Sequence, residues 1–166
     1  MKTFFDHLGR EVSIGANPQR IVSLCPSITE TLYALELGER IVGRTRFCIH
    51  PKEKVSQAKR VGGTKEIKFD RIDQLQPDLI IAEKEENTPE MVQELERKYP
   101  VFVIDVKKIE DALKMIEDLG KLTGTEEVAR KMLDDIQQQR SLPEPQKAPR
   151  VAYLIWREHY MGVGDS

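Results

Sequence analysis

The sequence predicts an α/β fold: a mostly parallel sheet flanked by helices, followed by a long helix. Three observations carry this expectation. Short β-branched runs alternate along the chain with segments of helical spacing. Two of the runs, "PDLIIAE" at residues 77–83 and "PVFVIDV" at residues 100–106, are continuously apolar, as strands covered on both faces must be. In "RIVSLCPSITETLYAL", residues 20–35, the apolar run stops at Cys25-Pro26 and restarts at once with helical spacing. A helix N-terminus therefore follows a strand's carboxyl end, the edge at which open α/β sheets bind ligands.

The elements follow in order. "TFFDHLGREVSIG" reads as a small peripheral hairpin turning at Leu8-Gly9-Arg10. Ile21, Val22 and Leu24 form a run too short for a helix, and Pro26 withholds the ladder hydrogen bond that would lengthen the strand. Ser27 and Glu30 have capping-box spacing, so Ser27 is expected to cap the next helix, whose inner positions are Ile28, Leu32 and Leu35. Gly38 in "LELGER" is expected to supply its left-handed stop, and residues 40–44 a second strand. Between the two continuous apolar runs, Thr88 as N-cap and Pro89 at the first helical position begin a helix bearing Met91, Val92 and Leu95.

A further helix spans residues 109–122 with Leu113, Ile116 and Leu119 inward, and Gly124 breaks it. Thr125, Glu126 and Glu127 start another, reaching Ser141 with Val128, Met132, Leu133 and Ile136 on one side. At ~1.5 Å per residue it is about 24 Å long, enough to cross a small domain. "SLPEPQKAPR" then packs three prolines into ten residues, the composition of a semi-rigid spacer. The last strand, "VAYLIW" at residues 151–156, has no core of its own. Its unpaired N–H and C=O groups are expected to recruit a second copy of the chain or to fold back on the first sheet.

Composition excludes several function classes. With 166 residues, 39% hydrophobic and 33% charged, the chain suits one well-buried core and is short for two full domains. A formal charge of −2 and the lack of a long basic run argue against nucleic acid as partner. No apolar run approaches the ~20 residues of a spanning helix, and "MKTFFDHLGREV" has no secretory h-region. The two cysteines, Cys25 and Cys48, make neither a disulfide framework nor a metal-finger spacing. No motif joins a nucleophile, a base and an orienting acid, and there is no P-loop and no GxGxxG, so no enzyme, cofactor or resident metal is expected.

The order "RIVSL.PS.TE", "VG.T", "HP", "VGGTKEIKFDRIDQLQPDLII", "VFVID", a long helix and "RVAYLIWRE.YM" resembles the substrate-binding proteins of metal-chelate ABC importers. These are the receptors with a helical backbone that take cobalamin, ferric siderophores or haem. The resemblance implies a two-lobed periplasmic-binding-protein-like fold, with one rigid helix joining the lobes and ligand in a shallow cleft between them. On this pattern residues 1–108 are one α/β lobe, 109–142 the helices including the connecting one, 143–150 the Pro-rich linker, and 151–166 the first strand of a second lobe. The expectation is a truncated receptor, periplasmic or at the cell surface by resemblance, with a cytoplasmic location left open.

The resemblance also implies the site. Strand-end loops would line the cleft with Pro26, Ser27, Thr45, Arg46, Phe47, Gly62, Gly63, Thr64, Lys65, Glu83 and Lys84, and Trp156 would face it from the other lobe. Asp70 matches the position of a surface carboxylate that pairs with arginines of the transporter's membrane subunit, and is equally the acidic start of a solvated helix, beside Asp73. Gly62-Gly63 is a turn needing positive φ or a close approach to ligand. Arg46 forks to carboxylate or phosphate, and Phe47 stacks on a macrocycle or plugs its loop. Arg46 and Lys65 suit an anionic chelate. A second class stays beside this one: an intracellular α/β enzyme or metal-handling protein using the loops around Ser27, Cys48 and His50. Cys25, next to a helix start, is either a low-pKa thiol or a buried structural cysteine, the second being favoured because no paired histidine adjoins it.

Overall fold

The computed structural model describes residues 1–140 and, as backbone, two short strands beyond them. The chain begins with β1 (Lys2–Phe5) and β2 (Glu11–Ile14), an antiparallel pair turning through Gly9 at φ +76°. A central sheet follows, built from β3 (Ile21–Ser23), β4 (Ile41–Arg44), β5 (Lys59–Arg60), β6 (Leu79–Glu83) and β7 (Val101–Ile104). All its pairings are parallel, in the order β5-β4-β3-β6-β7. Among the described residues five α-helices accompany it: α1 (Pro26–Ala34), α2 (Phe69–Leu75), α3 (Pro89–Glu96), α4 (Ile109–Thr123) and α5 (Glu126–Arg140). The α/β expectation is met, with a sheet wholly parallel and five-stranded. The sequence reading passes over β5, which is two charged residues long and carries no apolar signal.

Strand periodicity divides the core into two layers. Leu79 and Ile81 of β6, with Phe102 and Ile104 of β7, pack with Ile28 and Leu32 of α1 and with Met115, Ile116 and Leu119 of α4. The intervening Ile80, Ala82, Val101 and Val103 pack the opposite way, with Ile72 of α2 and with Met91, Val92 and Leu95 of α3. Every residue of β6 and β7 is buried, as their unbroken apolar runs require. Each fully buried Ile or Leu contributes roughly 1.5–3 kcal/mol relative to exposure.

Local signals decide most helix ends. Thr88 accepts the Met91 N–H and Pro89 takes the first turn of α3. Gly124, at φ +71°, ends α4. The inner face of α4 is Met115, Ile116, Leu119 and Leu122, with Leu113 only half-buried. Val128, Met132, Leu133 and Ile136 of α5 lean on the same core. A Cβ on Gly120 would stand 2.6 Å from that of Ala129, so α4 and α5 cross where glycine faces alanine.

Two expected caps are corrected. Ser27 does not cap α1: the helix starts at Pro26, and extended Cys25 is its N-cap, without a side-chain cap bond. Proline fits the first helical position because its missing N–H would have had no partner there, which moves the start one residue upstream. Glu36, at φ +63°, takes the left-handed turn after α1 instead of Gly38. Gly38 is needed for space, since a Cβ there would meet the Tyr33 ring at 2.7 Å.

The N-terminal hairpin is more than a decoration. Ile14 and Val12 are buried in the core, and the loop after β1 closes the outer edge of β7. There His7 N–H donates to Val103 O at 3.1 Å, and Val103 N–H donates to the Asp6 carboxylate at 3.3 Å. Near the C-terminus, β8 (Tyr153–Trp156) pairs antiparallel with β9 (Met161–Val163). This corrects the expectation of an unpaired strand, because one edge of Tyr153–Trp156 is covered from within the chain. The proline-rich stretch 143–150 and the side chain of Trp156 lie outside the described residues.

Candidate functional site

Because the sheet is parallel, all five strands deliver their exits to one end. The chain runs from β3 outward to β4 and β5, then crosses to β6 and β7 on the other side, so the order reverses between β3 and β6. A crevice at such a reversal is the usual ligand position in open α/β sheets. At this reversal a residue absent from the sequence-based site, Asn87, joins the strand exits. Asn87 is 3% exposed; its amide donates to Leu24 O at 3.2 Å and Thr64 O at 2.8 Å, and its Oδ1 accepts Glu83 N–H at 2.8 Å. One side chain thus ties the exits of β3 and β6 to the glycine loop. The only sequence signal was a polar residue just before the Thr88-Pro89 cap.

A second buried knot lies beneath the other exits. Thr29 Oγ1 is 2.8 Å from Ser23 Oγ and 3.1 Å from Cys48 Sγ, and Thr45 Oγ1 is 3.1 Å from the same sulfur. Cys48 is 1% exposed, so it does not form an accessible pair with exposed His50. Among the described residues no group of three or more His, Cys, Asp or Glu side chains could hold a metal ion. Burial pushes the Cys25 thiol up, against hydrogen bonds from Ser27 and backbone, so Cys25 is a structural cysteine rather than a low-pKa nucleophile.

Above these knots stands the accessible rim. Arg46 Cζ lies 4.8 Å from the centroid of the Phe47 ring, a cation–π stack on a side chain that is 49% exposed. Both lie against the glycine loop: a Cβ on Gly63 would meet the Phe47 ring at 3.4 Å and Arg46 Nη2 at 3.5 Å. Arg46 N–H donates to Gly62 O at 2.7 Å, and Gly62 holds φ +135°. A Cβ on Gly62 would come within 2.5 Å of Glu66 O, so its glycine is required both for conformation and for space. Arg46, Phe47, Gly62 and Gly63 therefore form one platform.

The other expected residues divide. Pro26 and exposed Ser27 open α1 at the same sheet end, with Ser27 Oγ 3.3 Å from Cys25 Sγ. Lys65 is exposed and its ammonium donates to Glu85 O. Asp70 is exposed in the first turn of α2, next to Phe69, a second aromatic with 38% exposure that the sequence reading did not single out. Thr45, Thr64 and Glu83 are buried. The Glu83 carboxylate accepts Glu85 and Glu86 N–H at 2.8 Å each, closing its own turn. Lys84 is drawn to Asp105, 2.8 Å away, and this pairing raises the pKa of the lysine and lowers that of the aspartate. The platform thus presents a guanidinium stacked on an exposed aromatic ring, a combination suited to binding a large anionic or flat ligand.

A family model described as periplasmic binding protein matches residues 21–141. The vitamin B12-binding protein of Pectobacterium atrosepticum is 31% identical over 125 residues, which are 75% of this chain and 44% of that protein. An uncharacterized ABC transporter substrate-binding lipoprotein of Bacillus subtilis is 31% identical over 135 residues, 79% of this chain and 42% of the relative. The crystal structure of the periplasmic vitamin B12 binding protein of Vibrio cholerae superposes with a TM-score of 0.69 at 28% identity, over 76% of this chain and 49% of that one. The chain spans less than half the length of the curated relatives it matches.

Proposed function

The chain belongs to the periplasmic binding protein family, and from that premise we propose that it is the substrate-binding component of an ABC importer for a metal chelate, meeting its ligand on the Arg46–Phe47–Gly63 platform. The supporting observation is the stacked pair of Arg46 and Phe47 on a backbone held by Gly62, at the end of the sheet where all strands exit. A guanidinium so held is preorganised to fork onto a carboxylate, and the exposed ring offers a face to a macrocycle. Within the metal-chelate class, Arg46 and Lys65 favour an anionic member, a ferric siderophore or haem, over a corrinoid. The names of similar proteins support the wider class, two of them being vitamin B12-binding and one an ABC transporter substrate-binding lipoprotein. On this reading the protein works outside the cytoplasmic membrane, α5 leads toward a second lobe, and exposed Asp70 meets an arginine of the membrane subunit.

The platform is one-sided, whereas large ligands are normally ~70–90% buried in their sites. Weak binding by these 166 residues is therefore the expectation. Calorimetric titration with haem, a ferric catecholate and cyanocobalamin tests the reading. An anionic chelate should bind best, and Arg46→Ala should weaken it at least tenfold with the circular dichroism spectrum unchanged. Preference for cyanocobalamin, together with indifference to Arg46→Ala, overturns the anionic assignment.

A further inference from the structure

At the β5 edge of the sheet, four cations gather, with no acid beside them among the described residues. Arg44 and Arg60 are Cα partners in the parallel β4–β5 pair, so their side chains leave the same face side by side. Like charges so placed repel. Arg44 is 4% exposed, and its guanidinium donates to neutral carbonyls: Nε to Val55 O at 2.7 Å and Nη1 to Thr45 O at 3.1 Å. Arg71, from α2, donates to Arg60 O at 3.0 Å. These three arginines and Lys59 line a cavity of about 720 Å³, to which Ser56 and Gln74 add a hydroxyl and an amide. Among the described residues no carboxylate lines it and none of the four cations joins an ion pair. Acids are not scarce, since the chain holds 28 Asp and Glu against 26 Lys and Arg. A guanidinium taken out of water without a counterion is costly, and the adjacent cations add to the cost.

The geometry points to a binding site for a phosphate-bearing anion at this edge. Several acceptor oxygens and more than one negative charge answer what the lining offers: guanidinium forks, an ammonium and neutral polar groups, with no competing carboxylate. The site is separate from the ligand platform, none of whose residues Arg46, Phe47 and Gly63 lines the cavity. The same chemistry is presented by a soluble phosphate compound and by a phospholipid headgroup.

The test uses the 166-residue chain. Inorganic pyrophosphate is titrated calorimetrically at low ionic strength, with sodium chloride at matched ionic strength as the blank. Sedimentation with phosphatidylglycerol vesicles is compared with phosphatidylcholine vesicles. Saturable pyrophosphate binding that falls at least tenfold in the Lys59→Gln/Arg71→Gln variant, and not in a Lys131→Gln variant at an exposed position of α5, supports a soluble ligand. Sedimentation with phosphatidylglycerol alone, lost in the same variant, supports a headgroup. If the double variant loses its circular dichroism spectrum, Lys59→Glu by itself replaces it, with the same tenfold criterion. Binding of neither probe, or binding unchanged by these substitutions, overturns the proposal.

Discussion

The side-chain amide of Asn87 donates to the carbonyl of Thr64 at 2.8 Å while its Oδ1 accepts the N–H of Glu83 at 2.8 Å. It holds the glycine loop against the exits of β3 and β6 at the strand-order reversal. Replacing it by alanine leaves buried backbone groups of Glu83, Leu24 and Thr64 without these partners. Each buried unsatisfied group costs ~1–3 kcal/mol. Asn87→Ala should lower stability in urea unfolding by about 3 kcal/mol after partial relaxation. Asn87→Asp should do no better, because a carboxylate keeps the acceptor but turns a charge toward two carbonyl oxygens. A loss below ~0.5 kcal/mol, the range of ordinary surface substitutions, would show that water replaces Asn87 without cost.

Asp6 guards the open edge of β7. Its buried carboxylate accepts the N–H groups of Leu8 and Arg10 at 2.9 Å each, Arg10 Nε at 2.8 Å and Val103 N–H at 3.3 Å. Asp6→Ala should uncover the edge and speed amide hydrogen exchange at Val103 by at least tenfold. Removing one partner of a buried pair costs ~3–5 kcal/mol, so Arg10→Ala should destabilise as well, somewhat less because Arg10 is half-buried. An unchanged Val103 exchange rate in Asp6→Ala would contradict the guarding role.

Gly120 sets the spacing between α4 and α5. Gly120→Ala gains up to ~1 kcal/mol of helix propensity, yet its new Cβ would start 2.6 Å from that of Ala129. Overpacking of this kind costs ~1–3 kcal/mol. The net expectation is a lower Tm for Gly120→Ala and partial recovery on adding Ala129→Gly. A double-mutant cycle that shows no coupling would place the helices farther apart than described.

Tyr99 supplies a pH dependence at the alkaline end. Its hydroxyl donates to Asp73 at 2.7 Å, and this bond, with desolvation and the carboxylate's charge behind it, pushes the phenol up from 10.0 to about 12. Lys98 and Tyr99 in turn hold the Asp73 carboxyl below its usual range. The raised Tyr99 pKa means that its contribution to stability is fully present below pH 10 and is lost as pH rises toward about 12. Ultraviolet titration should show one phenol ionising near pH 12 that disappears in Tyr99→Phe, and the wild-type excess stability over that variant should fade across the same window.

Much of the fold can be read from short stretches. Continuous apolar runs mark β6 and β7 as buried on both faces, Thr88-Pro89 marks the start of α3, and Gly124 ends α4, because each signal depends on residues within a turn or two. The placement of the candidate platform at the strand exits follows from the same alternation. Even locally, two neighbours can compete: Pro26 outranks Ser27 for the start of α1, and Glu36 accepts the left-handed turn while Gly38 makes room for Tyr33.

Which polar residues stay accessible at the strand exits is settled by segments far apart in the chain. Thr45, Thr64 and Glu83 share the strand-exit loops with Arg46 and Phe47, yet the first three are buried while Arg46 and Phe47 stand exposed on Gly63. Asn87 looks like an ordinary loop residue in the sequence; its partners Leu24 and Thr64 lie 63 and 23 positions away. The pairing of Lys59–Arg60 as β5, and with it the gathering of Arg44, Arg60 and Arg71, likewise depends on register between separate strands and a helix. Periodicity and capping are short-range, because they satisfy backbone groups within one element. Burial of a side chain and pairing of its charge depend on what the folded chain brings against it, so tertiary structure alone decided them.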